Sequence, residues 1–504
     1  MKFTKLIAAA AALCLAAPAA SSTMTSALTP PPQGDVNGDF IFNLSDIVMF
    51  MRWLNGKGDA RILTSGADAN CDGKFDVFDL IAMRKKLISC INDTPVPDYK
   101  PTAQNLCAGI SSSLPSPKES DEKFINSQAD FTVELFKKVY AYNEGPTNTL
   151  ISPYSVMQAL AMTANGANGN TRKEMENVLG GGMEMDELNR YLLSQRLRTV
   201  NTDRNEYSNK WDISTANSIW AINNPNRIVT RPEFIQKCVD YYNSEYYLAP
   251  FDDTTLADVN GWVNEKTHKM IPTILNQISE DDVMYLVNAI AFEAEWETPY
   301  EKYQVKDGIF TSAVGKEQKA EMLCSTERYI CDENTEGMIK YYSGGRYALA
   351  ALLPEEGTTV DTYIESLTPE KLTSVLNSYK KNNAIRAKVK LPKFKYDYDC
   401  SLADQLVSMG MSDAFSARNA DFSNMSAIAD VHPICIGDVI HKTFIELDEN
   451  GTKAAAATAV IMKDNSIPSY EEYRDVVFDR PFVYCIYDTE TSLPIFIGAL
   501  NSLG

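Results

Sequence analysis

The chain has 504 residues, 44% of them hydrophobic, and a formal net charge of −20. That length accommodates several domains of roughly 100–200 residues each. The acidity argues against a chain built to grip nucleic acid or an anionic membrane, which needs clustered Lys and Arg.

The first twenty residues read as an export signal. Lys2 and Lys5 precede an apolar run from Leu6 to Ala17, and Pro18-Ala19-Ala20 supplies small residues for cleavage. Residues 1–20 are therefore expected to leave a secreted, soluble, extracellular protein, because no later stretch reaches the ~18–20 apolar residues of a membrane span. Cys14 falls within that signal and is not preceded by a small residue, so lipoprotein processing is not expected. Ten cysteines become nine after cleavage. An odd number leaves at least one thiol free or paired to another molecule, and the spacings fix no pairing.

Next comes SALTPPPQG, whose three consecutive prolines forbid a helix. Residues 34–91 then hold an internal repeat. DVNGDFIFNLSDIVMFMRWLNG starts at Asp35 and DANCDGKFDVFDLIAMRKKLIS at Asp68, an offset of 33. Asp35, Asn37, Asp39, Asn43 and Asp46 occupy positions 1, 3, 5, 9 and 12 of the first loop. Asp68, Asn70, Asp72, Asp76 and Asp79 take the same positions in the second. Ca²⁺ takes roughly six to eight hard oxygen ligands, and this alternation aims side-chain oxygens inward; position 7, here Ile41 and Lys74, adds a backbone carbonyl. Two Ca²⁺ sites are expected. Each loop leads into one amphipathic helix, and the prolines exclude the preceding helix of an EF-hand.

Two such loop-helix units in tandem resemble a dockerin, the small all-α module that docks proteins onto the cohesin domains of a scaffoldin in a cellulosome. The likeness implies cohesin contacts from Leu44, Ser45, Val77 and Phe78, with Arg52 and Lys85 further along the helices. One departure is Phe40, which stands where the sixth loop position usually holds Gly.

Residues 92–120 are rich in Pro and Ser and read as a linker. From 121 to 504 helical patterning dominates first, as in FTVELFKKVYAY. Strand-like runs such as YALAALLP and AKVKLPKFKY follow. The mixture predicts a large α+β domain.

Several blocks of this region resemble the serpin family of serine protease inhibitors. They include NTLISPYSVMQALAM at 148–162, LVNAIAFEAEW at 286–296, LPKFKYDYDCSLADQLVSMGMSDAF at 391–415, VIHKTFIELDENGTKAAAATAVI at 439–461 and DRPFVYCIYDTETSLPIFIGAL at 479–500. The resemblance implies three β-sheets, about nine helices and an exposed reactive loop. A protease that cuts this loop is trapped when the hinge side inserts into the central sheet. The implied partner is a target serine protease, with cysteine proteases as a second class, held as a covalent acyl complex by a monomeric serpin domain. The alternative is a non-inhibitory serpin that binds or scaffolds within the cellulosome.

The residues explain why this loop could insert. In a strand, alternate side chains face opposite sides. From the hinge Gly451 onward the inward set is Thr452, Ala454, Ala456 and Thr458. All are small and uncharged, so none carries the burial cost of an ion or much side-chain entropy. A dozen residues at ~3.3 Å each would carry a bound protease roughly 40 Å. By analogy with the family, counting thirteen residues from Thr452 places the reactive bond at Asn465-Ser466. Met462 and Lys463 are alternatives, and Ile461, Tyr470 and Arg474 also stay open. The resemblance further assigns Ser152, Ser155, Asn288 and His441 to the shutter beneath the opening, and Trp296 to the breach at its top. FEAEW, with Glu293 and Glu295, replaces a Lys-rich family motif, which argues against polyanion regulation there. With three histidines and no GxSxG or HExxH, no catalytic role is expected.

Overall fold

The computed structural model describes residue 36, residues 44–54, residues 62, 67–69, 74–77, 79–80 and 82–83, and residues 101–503 apart from 144, 200–210, 280–281, 382–383 and 453–471. The chain divides into two compact units, Met1–Asp98 and Tyr99–Gly504.

In the smaller unit, Leu44–Leu54 forms the expected helix, α1, which begins within the last three positions of the first acidic loop. Val36, Ile47, Phe50, Ala67, Leu80 and Met83 make a small core. It joins the two repeats, because neither loop-helix unit can bury its apolar face alone.

The larger unit contains nine α-helices among the described residues: α2 (Glu122–Tyr142), α3 (Pro153–Ala164), α4 (Gly169–Gly180), α5 (Met185–Arg198), α6 (Pro232–Lys237), α7 (Asp253–Lys266), α8 (Val360–Glu365), α9 (Pro369–Asn377) and α10 (Ala403–Met409). Five of these starts carry a side-chain cap. Asp121 accepts from the Phe124 N–H to begin α2, and Ser152 caps α3 with Pro153 in its first turn. All twelve residues of α3 are buried, so it runs through the core and carries no polar face.

The strands form two hydrogen-bonded networks. The central sheet runs β1 (Gln104–Asn105), β4 (Glu245–Ala249), β3 (Trp211–Ile222), β5 (Met284–Glu295), β13 (Gly451–Thr452), β12 (Val439–Leu447), β11 (Phe394–Ser401). The second runs β14 (Glu472–Val477), β10 (Ile385–Pro392), β7 (Glu317–Cys331), β8 (Thr335–Tyr341), β9 (Tyr347–Pro354), β15 (Phe482–Asp488), β16 (Pro494–Leu500), β2 (Thr149–Ile151), with β6 (Val305–Thr311) paired to β7. The third sheet implied by the resemblance is the β6–β7–β10–β14 part. It stays continuous with the second because the 15-residue β7 pairs with β6 and β10 along most of its length and with β8 at its end.

One core lies between the helices and the central sheet. A second, built on Phe292, Trp296, Tyr342, Phe394, Phe482 and Phe496, fills the space between the sheets. Most of the stretch expected as linker, from Tyr99 onward, belongs to this larger unit. Gln104 and Asn105 pair with β4, Thr102 and Ala103 donate to Asp258, and Ser113 donates twice to Asp240. Its Pro and Ser content hides this, because it is anchored by hydrogen bonds to other elements rather than by a local period.

Candidate functional site

The centre of interest is the seam between β5 and β12. These strands run parallel, but they pair only over Leu286–Ile290 and Val439–Thr443. Above that, Ala291, Phe292 and Glu293 have no ladder partner on β12 among the described residues. At the top the chain turns back. Asp448 Oδ1 accepts from the Asn450 and Gly451 N–H groups at 2.7 and 3.2 Å. Gly451 and Thr452 then enter the sheet as β13, pairing with Glu295 and Ala294 of β5, and Thr452 with Leu447 of β12. The predicted hinge therefore already occupies the top of the seam. Ala454, Ala456, Thr458, Met462, Lys463, Asn465 and Ser466 lie outside the described residues.

Two features fix the hinge. A Cβ on Gly451 would sit 1.9 Å from the Ala294 carbonyl oxygen, a backbone atom that cannot step aside. Thr452 is buried, and its Oγ1 lies 2.6 Å from the Tyr342 hydroxyl. Trp296 stacks on Tyr342 at 4.4 Å between centroids. Trp296 also donates its indole N–H to the Asp448 carbonyl at 2.9 Å and its backbone N–H to Asn450 at 2.8 Å. Its assignment to the top of the seam thus has a physical content: it grips the turn that feeds the hinge. Lys393, just beyond β10, holds Glu449 in the same turn at 2.6 Å.

The four predicted shutter residues come together beneath. His441 and Asn288 are directly opposite in the β5–β12 ladder. The Ser152 backbone N–H donates to His441 Nε2 at 3.0 Å. That leaves Nδ1 to carry the proton and donate to Asn288 Oδ1 at 2.9 Å. Asn288 in turn donates to the Ser155 carbonyl and hydroxyl and to Asn217 Oδ1, and the Ser152 hydroxyl donates to the Ile495 carbonyl at 2.7 Å. Ser152, Ser155, Asn288 and His441 are all fully buried. Burial alone drives the His441 pKa down to about 3, so the ring is neutral, as its acceptor role requires. The network links α3 to both strands of the seam through neutral, exchangeable hydrogen bonds. Asn217, Tyr342 and the Lys393–Glu449 pair were not anticipated. Only the lone amide within TANSIW offered any sequence signal, and a weak one.

In the smaller unit, Asp46 and Asp79 end their loops fully buried. Asp46 Oδ1 accepts from the Val36 N–H at 3.0 Å, and Asp79 Oδ2 from the Asp76 N–H at 2.9 Å. Buried carboxylates at the ends of two acidic loops fit a hard divalent cation. Asp68 and Asp76 are half-buried and Lys74 is exposed. Asp35, Asn37, Asp39, Ile41, Asn43, Asn70 and Asp72 lie outside the described residues. Among the positions expected to contact a cohesin, Leu44 and Ser45 begin α1, Arg52 is exposed on it, and Val77 is 53% exposed. Phe78 and Lys85 lie outside the described residues.

The family profile described as serpin (serine protease inhibitor) matches residues 126–503. The chain belongs to the serpin family. A second profile, the dockerin type I domain, matches residues 33–88. Serpin B6 of Macaca fascicularis is 30% identical over 386 residues, covering 74% of this chain and 97% of its own. The leukocyte elastase inhibitor of Xenopus tropicalis is 28% identical over 397 residues, 76% of this chain and 100% of that one. Among solved structures, the native state of the thermophilic serpin Tengpin is similar with a TM-score of 0.72 at 42% identity, covering 80% of this chain and 100% of that chain. Its latent state matches with a TM-score of 0.64 at 40% identity, over 77% of this chain and all of that one. This serpin thus carries a dockerin at its N-terminus, a combination that supports a cellulosomal protein. Among the described residues no helix is long and apolar enough to cross a membrane.

Proposed function

We propose that this serpin is a secreted suicide inhibitor of serine proteases, tethered to a cellulosome through Ca²⁺-dependent docking to a cohesin. The observation that carries the inhibitory half is the placement of Gly451 and Thr452 between β5 and β12. Serpin loop insertion is an established case of strand addition and of stored-strain release. Extending the register of Thr452 with Ala294 sets Ala454 beside Phe292, Ala456 beside Ile290 and Thr458 beside Asn288. Phe292 and Ile290 line the inter-sheet core, so the incoming even-numbered residues must be small. Below Ile290 the advancing strand replaces the direct β5–β12 pairing, including the His441–Asn288 contact.

The reactive bond is Asn465-Ser466 in this reading, with Met462 and Lys463 as neighbouring candidates. The protease serine attacks the carbonyl carbon of that bond, the amine side leaves, and an ester to the protease remains. Insertion then moves the ester away before water can hydrolyse it. The serpin itself contributes no catalytic group. In the dockerin, Asp35, Asn37, Asp39, Ile41, Asn43 and Asp46 would hold one Ca²⁺ and Asp68, Asn70, Asp72, Lys74, Asp76 and Asp79 a second. The bound ions would neutralise the loop carboxylates and fix the two helices for cohesin contact. Domain limits of 1–20 and 34–91 belong to the same proposal, with the arm at 101–120 counted with the serpin unit.

The deciding experiment mixes the full chain with a serine protease and looks for an SDS-stable complex on a gel. A covalent band at the summed mass is expected. Quantitative loop cleavage with no such band would replace the inhibitor reading by the non-inhibitory one.

A further inference from the structure

The outward face of β10 is basic in a strongly acidic protein. Arg386, Lys388 and Lys390 alternate with buried Ala387, Val389 and Leu391. Beside them, Tyr473 and Asp475 of β14 stand opposite Arg386 and Lys388 in register. A groove of about 600 Å³ runs over this face, lined also by Lys306 from β6. Lys388 lies over the Tyr473 ring at 4.9 Å. Among the described residues, Lys306, Lys388 and Lys390 have no carboxylate within ion-pair distance, although Lys266, Lys340, Lys393 and Lys395 elsewhere do. Among the described residues lining the groove, Lys306, Lys388 and Lys390 outnumber the one carboxylate, Asp475, so this face is locally positive in a chain of net charge −20.

The position of this face gives it a meaning. β10 adjoins both roots of the reactive loop. Its first residue, Ile385, pairs with Glu472, where the chain re-enters the sheet after the loop. Just past its end, Lys393 holds Glu449, in the turn that leads into the hinge. A protease seated on the loop must therefore lie close to this face.

We infer that the β10 face is a docking surface for an acidic patch on the attacking protease. This rests on the inhibitor reading and specifies the partner's chemistry. The whole molecule repels an anionic protease at long range. Within a Debye length of about 10 Å at 0.1 M salt, the lysine face reverses that sign beside the loop. Charge placed this way acts on encounter rate and orientation more than on the chemistry after cleavage.

The test compares two trypsin isoforms that share primary specificity and differ in surface charge, anionic and cationic trypsin. Association rate constants are measured at 0.1 M salt for the full chain and for K388E/K390E. The double variant is expected to slow about tenfold with the anionic isoform and not with the cationic one, at unchanged inhibition stoichiometry. Equal effects on both isoforms, or no effect, would overturn the proposal. If neither isoform forms a covalent complex, that outcome reflects trypsin's selection of Lys or Arg over Asn465, and the inhibitor reading rests on the gel experiment above with proteases of other specificity. The face is then read separately, by fluorescence anisotropy with anionic trypsin whose nucleophilic serine is replaced by alanine. Weaker binding by the double variant upholds the surface; no binding by either form overturns it. Retention of the wild-type chain on polygalacturonate beads, lost in the variant without any change toward trypsin, would assign the face to an anionic polysaccharide and overturn the assignment to a protease.

Discussion

The hydroxyl of Tyr342 lies 2.6 Å from Oγ1 of Thr452, inside the inter-sheet core and against the stacked face of Trp296. In the proposed mechanism Thr452 is thus the leading residue of the inserting strand, seated between β5 and β12. Thr452→Arg would bring a guanidinium into this apolar, hydrogen-bonded corner, where an unpaired ion costs several kcal/mol. Each ~1.4 kcal/mol on the insertion barrier slows that step tenfold, while ester hydrolysis keeps its own rate. The variant is expected to turn from inhibitor to substrate, with the complex fraction falling at least about tenfold. Densitometry of complex and cleaved bands on SDS gels measures it; an unchanged ratio would remove hinge insertion from the mechanism.

Gly451 is held flush against β5 for a different reason. Its missing Cβ leaves room for the Ala294 carbonyl, and any side chain would meet that backbone oxygen at 1.9 Å. Gly451→Ala should displace the hinge from the sheet and destabilise the native form by about 1–3 kcal/mol, the usual range for overpacking. A lower urea midpoint and a smaller complex fraction are expected together. A variant as stable as wild type would mean that β13 does not pair with β5 in solution.

Much of this was legible in the chain itself, for local reasons. The loop-helix repeat that leads into α1 and the apolar alternation of the strands each express a constraint within a few residues. Ser152, Ser155, Asn288 and His441 could be grouped because the blocks carrying them resemble a family. What stayed hidden depends on residues far apart in sequence. Tyr342 meets Thr452 across 110 positions and Asn217 meets Asn288 across 71. Neither Asn217 nor Tyr342 looks unusual in its own segment. The packed arm at 101–120 was hidden in the same way, since a Pro- and Ser-rich stretch carries no periodic signal even when residues such as Thr102, Ala103 and Ser113 bond to distant elements.

The buried His441 makes stability depend on pH with a defined sign. Its pKa is about 3 in the folded protein and about 6.5 in an unfolded chain. Its contribution is complete above the unfolded value and is lost as pH falls toward the folded one, because only the unfolded state takes up the proton. Between pH 7.5 and 5.0 this group alone should remove about 2 kcal/mol. His441→Gln keeps an amide where the ring stood and cannot titrate. Urea unfolding of both proteins at the two pH values isolates the difference; parallel losses would show that His441 is not neutral and buried as described.

Removing the metal should separate the two modules. Asp46 and Asp79 are fully buried at the ends of their loops, and without a cation their charges lose their strongest proposed partner. A chelator, or the pair D46N/D79N, is expected to weaken capture by a cohesin domain at least about a hundredfold, as loss of structural ligands commonly does. Protease inhibition should be unaffected, since the serpin unit has its own cores. Cohesin capture that survives chelation would refute the two-site reading.

The last prediction concerns the seam itself. Among the described residues, two residues of β13 enter between β5 and β12, and Ala291, Phe292 and Glu293 have no ladder partner on β12. A strand of about a dozen small residues would pair along both edges of that opening. At about 0.5–1.5 kcal/mol net per hydrogen bond, the gain is on the order of 10 kcal/mol. The direct β5–β12 bonds that it replaces are fewer. If cutting the loop lets such a strand enter, as proposed, the nicked protein should unfold at a higher temperature than the intact one, by on the order of 20 °C for a unit of this size. Calorimetry before and after limited proteolysis, with both fragments retained, reads the shift. Equal melting temperatures would mean that the seam does not admit a strand, and the inhibitory mechanism would lose its driving force.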